Sequence, residues 1–340
     1  MITLSICIPS YNRFEKLNRT IQEILEAKSN DFEIVIVDNC SPRDVTQYIL
    51  CADRRVRIIK RRTPVSGIKS VSDCLLFGKG KYSLLLLDKD MIHGINLDKF
   101  IDVLSNNEVF GGYCKINSTR NYFEIVDKKI VERFGFLSKH PSGNFYRMDI
   151  LRDFIVDNAY KLENDAFNFD IYMAFCASRG SMLYYDSNLV DSVLDKVEQK
   201  DEHSLTFSKA NSNVYYMPNN RIQEFVTYMD YLCFLNISRK DRLATLKKIY
   251  KRASDFVTFE YQDIMRNKVI CNHYGHETEN ILFTEMFSNQ IEIRKEFYAF
   301  RCKDVNIINK IIFDAEIQIR FVLKILLKKI HNRRNRNDNI

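Results

Sequence analysis

A chain of 340 residues allows one large domain or two of roughly 100–200 residues each, and its 46% hydrophobic and 28% charged residues exclude a disordered polymer. The formal net charge of +7 is uneven: from residue 310 onward Lys310, Arg320, Lys324, Lys328, Lys329, Arg333, Arg334 and Arg336 face only Asp314, Glu316 and Asp338, which points to an anionic surface. The nine cysteines show no zinc spacing and read as reduced thiols of a cytoplasmic protein, with Cys7 and Cys114 as small core residues.

Thr3 to Ile8 is an apolar run closed by Pro9 and Ser10, and it predicts a first strand. It starts so close to Met1 that no leader peptide is expected. Leu17, Ile21, Ile24 and Leu25 then fall at helical spacing. Glu33 to Val37 predicts a second strand that ends at Asp38. Asp44 to Cys51 reads as a short helix, Val56 to Lys60 as a third strand, and Ser66 to Phe77 as a helix. Tyr82 to Leu87 is the fourth strand. Strands alternating with helices imply βαβ units and a parallel sheet.

That fourth run ends abruptly in Asp88-Lys89-Asp90. Parallel strands covered on both faces are apolar throughout, and their carboxyl ends are where open α/β sheets bind ligands. If the strand continues, residues i and i+2 point the same way, so Asp88 and Asp90 would converge on one hard cation. The alternative is a polar turn after a core strand.

Beyond Asp90 the alternation weakens. Asn96 to Leu104 reads as a helix, Val109 to Ile116 and Tyr122 to Val126 as strands, Phe167 to Arg179 as a helix, and Ser181 to Asp186 as a strand. From about Pro218 the pattern is helical, with Phe225, Tyr228, Tyr231, Leu232 and Leu235 as anchors. The division expected is residues 1–210, a helical region 211–305, and a basic amphipathic helix and tail 306–340. No apolar stretch approaches the roughly 18 residues that a membrane-spanning helix needs.

Four features in order, Ser5 to Arg13, Glu33 to Ser41, Gly80 to Asp90 and the helix ending at Arg179-Gly180, resemble the family 2 glycosyltransferases of the GT-A fold. The resemblance covers roughly residues 1–205. It implies an α/β fold: a GT-A-like, Rossmann-type, mainly parallel sheet flanked by helices, followed here by a helical C-terminal region. It also implies a nucleotide-sugar donor. Pro9, Tyr11 and Arg13 would lie against the base and phosphates, and Asp38 would accept from the base, uracil in the first instance. Asn39 stands where many relatives carry a second aspartate. For Asp38 the alternative is a turn or helix cap ahead of Ser41 and Pro42. Gly67 and Lys69 would line the diphosphate; Asp73 replaces a common Asn. Asp88 would hold the ribose or a metal-bound water, and Asp90 would ligate Mn²⁺ or Mg²⁺. His203 is a further metal ligand by resemblance, or else an exposed loop histidine. Ser142, Gly143 and Asn144 would meet the acceptor or the donor sugar. Inverting transfer needs a general base; the usual pair of positions reads Phe167-Asn168 here, so the candidates are Asp170 and then Asp165.

Ile312, Ala315, Ile319, Val322, Leu323, Leu326 and Ile330 fall on one face of a C-terminal helix, with Glu316, Arg320, Lys324, Lys328 and His331 largely opposite. Such a helix suits an anionic membrane and a lipid-linked acceptor; the alternative is packing on the protein itself. Nucleic acid is disfavoured, because no aromatics interleave the basic run. The expectation is a metal-dependent transferase of bacterial surface-polysaccharide synthesis, peripheral on the inner face of the cell membrane. A non-catalytic nucleotide-sugar-binding scaffold and a sugar-phosphate nucleotidyltransferase are the rivals. A dehydrogenase is disfavoured, because no GxGxxG follows Ile8.

Overall fold

The computed structural model describes residues 2–49, 52–136, 140–162, 168–192, 218–266 and 279–337. The chain divides into two compact units, Met1–Asp195 and Lys196–Ile340.

The first unit is a mixed sheet with helices. Its strands are β1 (Leu4–Ser10), β2 (Phe32–Asp38), β3 (Val56–Lys60), β4 (Tyr82–Leu85), β5 (Met91–Ile92), β6 (Gly111–Ile116), β7 (Asn121–Val126), β8 (Asn144–Arg147) and β9 (Met182–Asp191). Its helices are α1 (Phe14–Leu25), α2 (Val45–Tyr48), α3 (Gly67–Phe77), α4 (Gly94–Asn106), α5 (Ile130–Phe134), α6 (Met148–Leu162) and α7 (Asn168–Ala177). The sheet order is β3-β2-β1-β4-β8-β6-β9-β5, with β7 paired to β9. β3, β2, β1 and β4 are parallel. β8 is antiparallel to both β4 and β6.

The parallel half forms because its strands can bury everything they carry. Every residue of β2 and β4 is buried, and in β1 only Pro9 is partly open. α1 covers it with Phe14, Leu17, Thr20, Ile21 and Ile24, one helical stripe. Of the two carboxylates in β2, Glu33 is satisfied: Ser5 Oγ donates at 2.7 Å, Lys79 N–H at 2.6 Å and Arg57 at 3.2 Å.

The sequence reading assigns no element to β5, α5 or α6 and ends the last strand at Asp186, short of the end of β9; two further differences bear on the site. The fourth strand stops at Leu85, and residues 88–90 form a turn closed by Asp90 N–H to Leu87 C=O at 3.0 Å. The two-residue alternation of a strand therefore does not apply to Asp88 and Asp90. The second difference is β8, four residues to which the sequence reading assigns no strand. It sits between β4 and β6 in the middle of the sheet and leads directly into α6.

The second unit is helical: α8 (Pro218–Phe234), α9 (Arg239–Arg266), α10 (Glu279–Ala299) and α11 (Ile307–Asn337). Leu246, Ile249, Tyr250, Met286, Ile293, Phe297, Ile317 and Phe321 are among its buried side chains. Tyr250 and Phe297 stack with ring centroids 4.0 Å apart. Among the described residues no helix is long and apolar enough to cross a membrane.

Candidate functional site

The carboxyl ends of β1, β2 and β4 carry Pro9 to Arg13, Asp38 and Asp88-Lys89-Asp90. Parallel pairing of β1 with both neighbours places these three ends side by side, at the edge where α/β sheets bind ligands.

Asp88 is fixed from the loop after β1. Its Oδ1 accepts from Arg13 Nη1 at 2.9 Å and its Oδ2 from Tyr11 N–H at 3.3 Å. Burial pushes its carboxyl above the usual range, and Arg13 with the Tyr11 N–H opposes that shift. Tyr11 itself is 55% exposed, with its ring open to solvent.

Asp90 faces elsewhere and is fully buried. Its Oδ2 accepts from Ser142 Oγ, and His140 Nε2 lies 3.6 Å from the same oxygen. Ser142 Oγ also accepts from Leu87 N–H at 2.9 Å, so this hydroxyl ties the aspartate and its turn together. Burial holds the His140 imidazole below its usual range, with Lys89 adding to the shift and Asp90 opposing it. Asp90 Oδ1 is buried without a hydrogen-bond partner. A bare carboxylate oxygen in the interior is costly unless something charged completes it, and a hard cation fits that demand. Among the described residues no group of three or more His, Cys, Asp or Glu is assembled to hold a metal. The protein's share of such a site is thus Asp90, with Asp88 two residues away.

Ser142, Gly143 and Asn144 do not form an open loop. Ser142 is fully buried on Asp90, and Asn144 is buried as the first residue of β8. Gly143 has φ +87°, and a Cβ there would meet the Cys114 carbonyl oxygen at 2.5 Å. Only glycine lets this turn pass β6 and deliver Ser142 to Asp90.

Asp38 is fully buried and accepts from Ser41 at both oxygens, from Oγ and from N–H at 3.2 Å. Ser41 Oγ in turn accepts from Asn12 N–H at 2.9 Å, which links the loops after β1 and β2. This is the turn geometry that the sequence offered as the alternative for Asp38. Asn39 bonds Val65 through its amide in both directions, at 2.9 and 3.0 Å. Gly67 opens α3 behind its cap Ser66, whose hydroxyl accepts from Lys69 N–H at 3.1 Å. Lys69 Nζ lies 3.7 Å from Asp73, which also pairs with Arg61.

α7 closes the far side. Asn168 donates to Ser72 Oγ at 2.8 Å and Tyr172 shares a 2.8 Å hydrogen bond with the same hydroxyl, docking α7 on α3. Asp170, in the first turn of α7, is buried at 2% exposure. Burial lifts the Tyr146 phenol well above its usual range, and the Asp170 carboxylate adds to it. Asp165 and His203 lie outside the described residues.

The structure adds His140, Ser41 and a second role for Arg13. The histidine has a faint signal in His140-Pro141-Ser142-Gly143. The Ser41 contact follows from the short Asp-x-x-Ser spacing.

Residues 5–159 match the model of the family described as Glycosyl transferase family 2. This part of the chain is a family 2 glycosyltransferase domain. An uncharacterized glycosyltransferase of Haemophilus influenzae is 29% identical over 107 residues, which is 31% of this chain and 35% of that protein. An uncharacterized glycosyltransferase of Rickettsia felis is 29% identical over 136 residues, 36% of this chain and 21% of that protein. The match thus spans about a third or less of these relatives' length. Among solved structures, S. aureus TarS 1–349 superposes with a TM-score of 0.59 at 13% identity, covering 87% of this chain and 83% of TarS 1–349. TarS 1–349 in complex with UDP-GlcNAc gives 0.54 at 12% identity, covering 86% and 89%. At such identity the likeness is one of fold: the α/β sheet with helices of the GT-A glycosyltransferases, followed by a helical region.

Proposed function

We propose that this glycosyltransferase moves a sugar from a nucleotide-diphosphate donor, UDP-linked in the first instance, to a glycan acceptor carried on lipid. The setting is bacterial surface-polysaccharide synthesis at the inner face of the membrane. One observation carries the reading: the buried, partnerless Asp90 Oδ1 in the turn after β4, at the carboxyl edge of a GT-A sheet. The UDP-GlcNAc complex of the similarly folded TarS supports a UDP-sugar.

In this reading Tyr11 offers an exposed ring to the base, and Pro9 shapes the loop that carries it. Asp38 holds that loop in place through Ser41 and Asn12, and turns to the base only if Ser41 yields. Asp88 positions Arg13, and Arg13, half exposed, is the cation nearest the incoming phosphates. Gly67 and Lys69 line the diphosphate from the start of α3. Asp90 would hold Mn²⁺ or Mg²⁺, with His203 as a further ligand. When bound, the ion supplies positive charge to offset what builds on the leaving diphosphate. Ser142 and His140 keep Asp90 aimed; Gly143 and Asn144 set the wall toward the acceptor. Asp170 or Asp165 takes the acceptor's proton, on the face opposite the leaving group, which gives inversion. The burial of Asp170 favours a second reading, a protein that binds the donor without transfer.

The test is thermal stabilisation by UDP, with and without Mn²⁺, followed by turnover of UDP-sugars. A nucleotide at ~100 times its dissociation constant stabilises by about 2.7 kcal/mol. Metal-dependent stabilisation lost in Asp90→Asn, together with sugar release, supports the transferase. Stabilisation without release supports the binding protein, and no stabilisation by UDP or other nucleotides sinks both.

A further inference from the structure

Helix α11 has two apolar faces, and its own unit covers only one. Ile317, Phe321 and Ile325 are buried, and the polar groups beside them are tied down. Asp314 accepts from Tyr250 at 2.6 Å and Tyr298 at 3.0 Å and pairs with Arg294 at 2.7 Å. Lys310 donates to the Tyr298 and Phe300 carbonyls. Arg320 and Lys324 both pair with Asp255 of α9, at 3.0 and 2.6 Å. Arg320 and Lys324, opposite the apolar face that the sequence marked, are thus held by ion pairs to the protein.

The other face is open. Ile308, Ile312, Ala315, Ile319, Val322 and Leu326 are exposed and step by 4, 3, 4, 3 and 4 residues. The steps of 4 and 3 match the a/d seam between two helices. Ile311 and Leu323 flank it, also exposed. Glu316, exposed and paired with Lys247, edges the stripe in the same row as Leu323.

The stripe is also symmetric along its length. Reversed end for end about residue 317, Ile308 falls on Leu326, Ile311 on Leu323, Ile312 on Val322 and Ala315 on Ile319. A two-fold axis at that level would set every apolar position of one helix against an apolar position of the other, with the small Ala315 facing Ile319. Two-fold interfaces are self-complementary in this way. An antiparallel pair also keeps the two basic C-terminal ends apart and opposes the helix dipoles. The eight exposed apolar side chains offer on the order of 600 Å² per copy, approaching the roughly 800 Å² per partner of a standard interface.

We propose that two copies of this chain associate through an antiparallel α11–α11 contact centred at residue 317.

Sedimentation equilibrium of the full chain tests it. The expected result is a dimer with a dissociation constant in the micromolar range, weakened at least ~100-fold by Ile319→Glu, which buries two carboxylates among apolar side chains. Ile319 is 62% exposed, so the variant should fold, and circular dichroism checks that. Direction is read by oxidative cross-linking against a wild-type control: Ile308→Cys mixed with Leu326→Cys should link, while neither alone should. A monomer at all concentrations overturns the proposal, and so does linking of either single variant in place of the mixture. So would a monomeric wild type that floats with lipid vesicles while Ile319→Glu stays in solution, which would assign the stripe to a bilayer.

Discussion

At the scale of single residues the site turns on Asp90. Its carboxylate is fully buried, one oxygen is held by Ser142, and the other has no partner. Asp90→Asn keeps the shape and removes the charge. It should abolish Mn²⁺-dependent stabilisation by UDP and lower sugar transfer by at least ~100-fold, the scale of losing a positioned electrostatic group; unchanged metal dependence would remove Asp90 from the site. Ser142→Ala tests the support. It leaves Asp90 Oδ2 and the Leu87 N–H short of a partner, at a cost of about 1–3 kcal/mol. Metal affinity should fall by roughly 10- to 100-fold, as for other outer supports of a ligand. Calorimetric titration with Mn²⁺ and UDP reads that fall, and a variant that only melts earlier would make Ser142 purely structural. The two aspartates were legible because an apolar run that stops at carboxylates is a strong local pattern. Ser142 was marked only for the acceptor side; its bond to Asp90 was not legible, because it spans 52 residues of chain and exists only once Gly143 has turned past Cys114.

At the scale of elements, the legible ones make their own case. β1, β2 and β4 are apolar because both faces are covered, and α1 carries one clean stripe. β8 fails that test, since Asn144 to Arg147 is four residues made a strand by β4 on one side and β6 on the other. Helix α11 shows a different limit. Periodicity found its apolar stripe, but which face the protein covers is decided by Asp314, Ile317 and Phe321 meeting α9 and α10. Asp314 gives the test. Burial pushes its carboxyl up, yet Tyr250, Tyr298, Arg294 and Gln318 outweigh that and hold it below the usual range. A lowered folded-state pKa adds stability above the unfolded value of about 3.9, lost as pH falls through the folded value. Asp314→Ala should cost the helical unit about 1–3 kcal/mol near neutrality, chiefly by leaving the buried Tyr250 hydroxyl short of an acceptor, since the half-exposed Arg294 turns to water. The gap between wild type and variant should shrink as pH drops below the ordinary carboxylate range. Melting curves of both proteins across that range decide it, and a gap independent of pH would show that packing, not charge, is what Asp314 supplies.

At the scale of the whole molecule, charge is unevenly placed along the chain. Much of the +7 lies from residue 310 onward. Lys310, Arg320 and Lys324 are engaged within the helical unit, so in the proposed membrane reading the sequence offers Lys328, Lys329, Arg333, Arg334 and Arg336 as the basic cluster for an anionic bilayer. Each basic residue near such a surface adds roughly 1 kcal/mol, and screening shortens its reach to about 10 Å at 0.1 M salt. Membrane contact of this kind needs charge and not insertion, which leaves the apolar stripe of α11 for a second copy. The expected outcome is flotation with phosphatidylserine vesicles at low salt, little with phosphatidylcholine, and release as salt rises. Changing the five basic residues to Glu should weaken binding by at least ~100-fold while leaving UDP-dependent stabilisation intact, because Asp88, Asp90 and Arg13 belong to the other unit. Equal binding to both lipids, or binding indifferent to salt, would sink the electrostatic account and move the lipid contact to an apolar surface. If the chain also pairs through α11, each dimer presents two basic ends. Ile319→Glu should then weaken flotation only by the loss of that second end, a drop that raising the anionic lipid fraction restores.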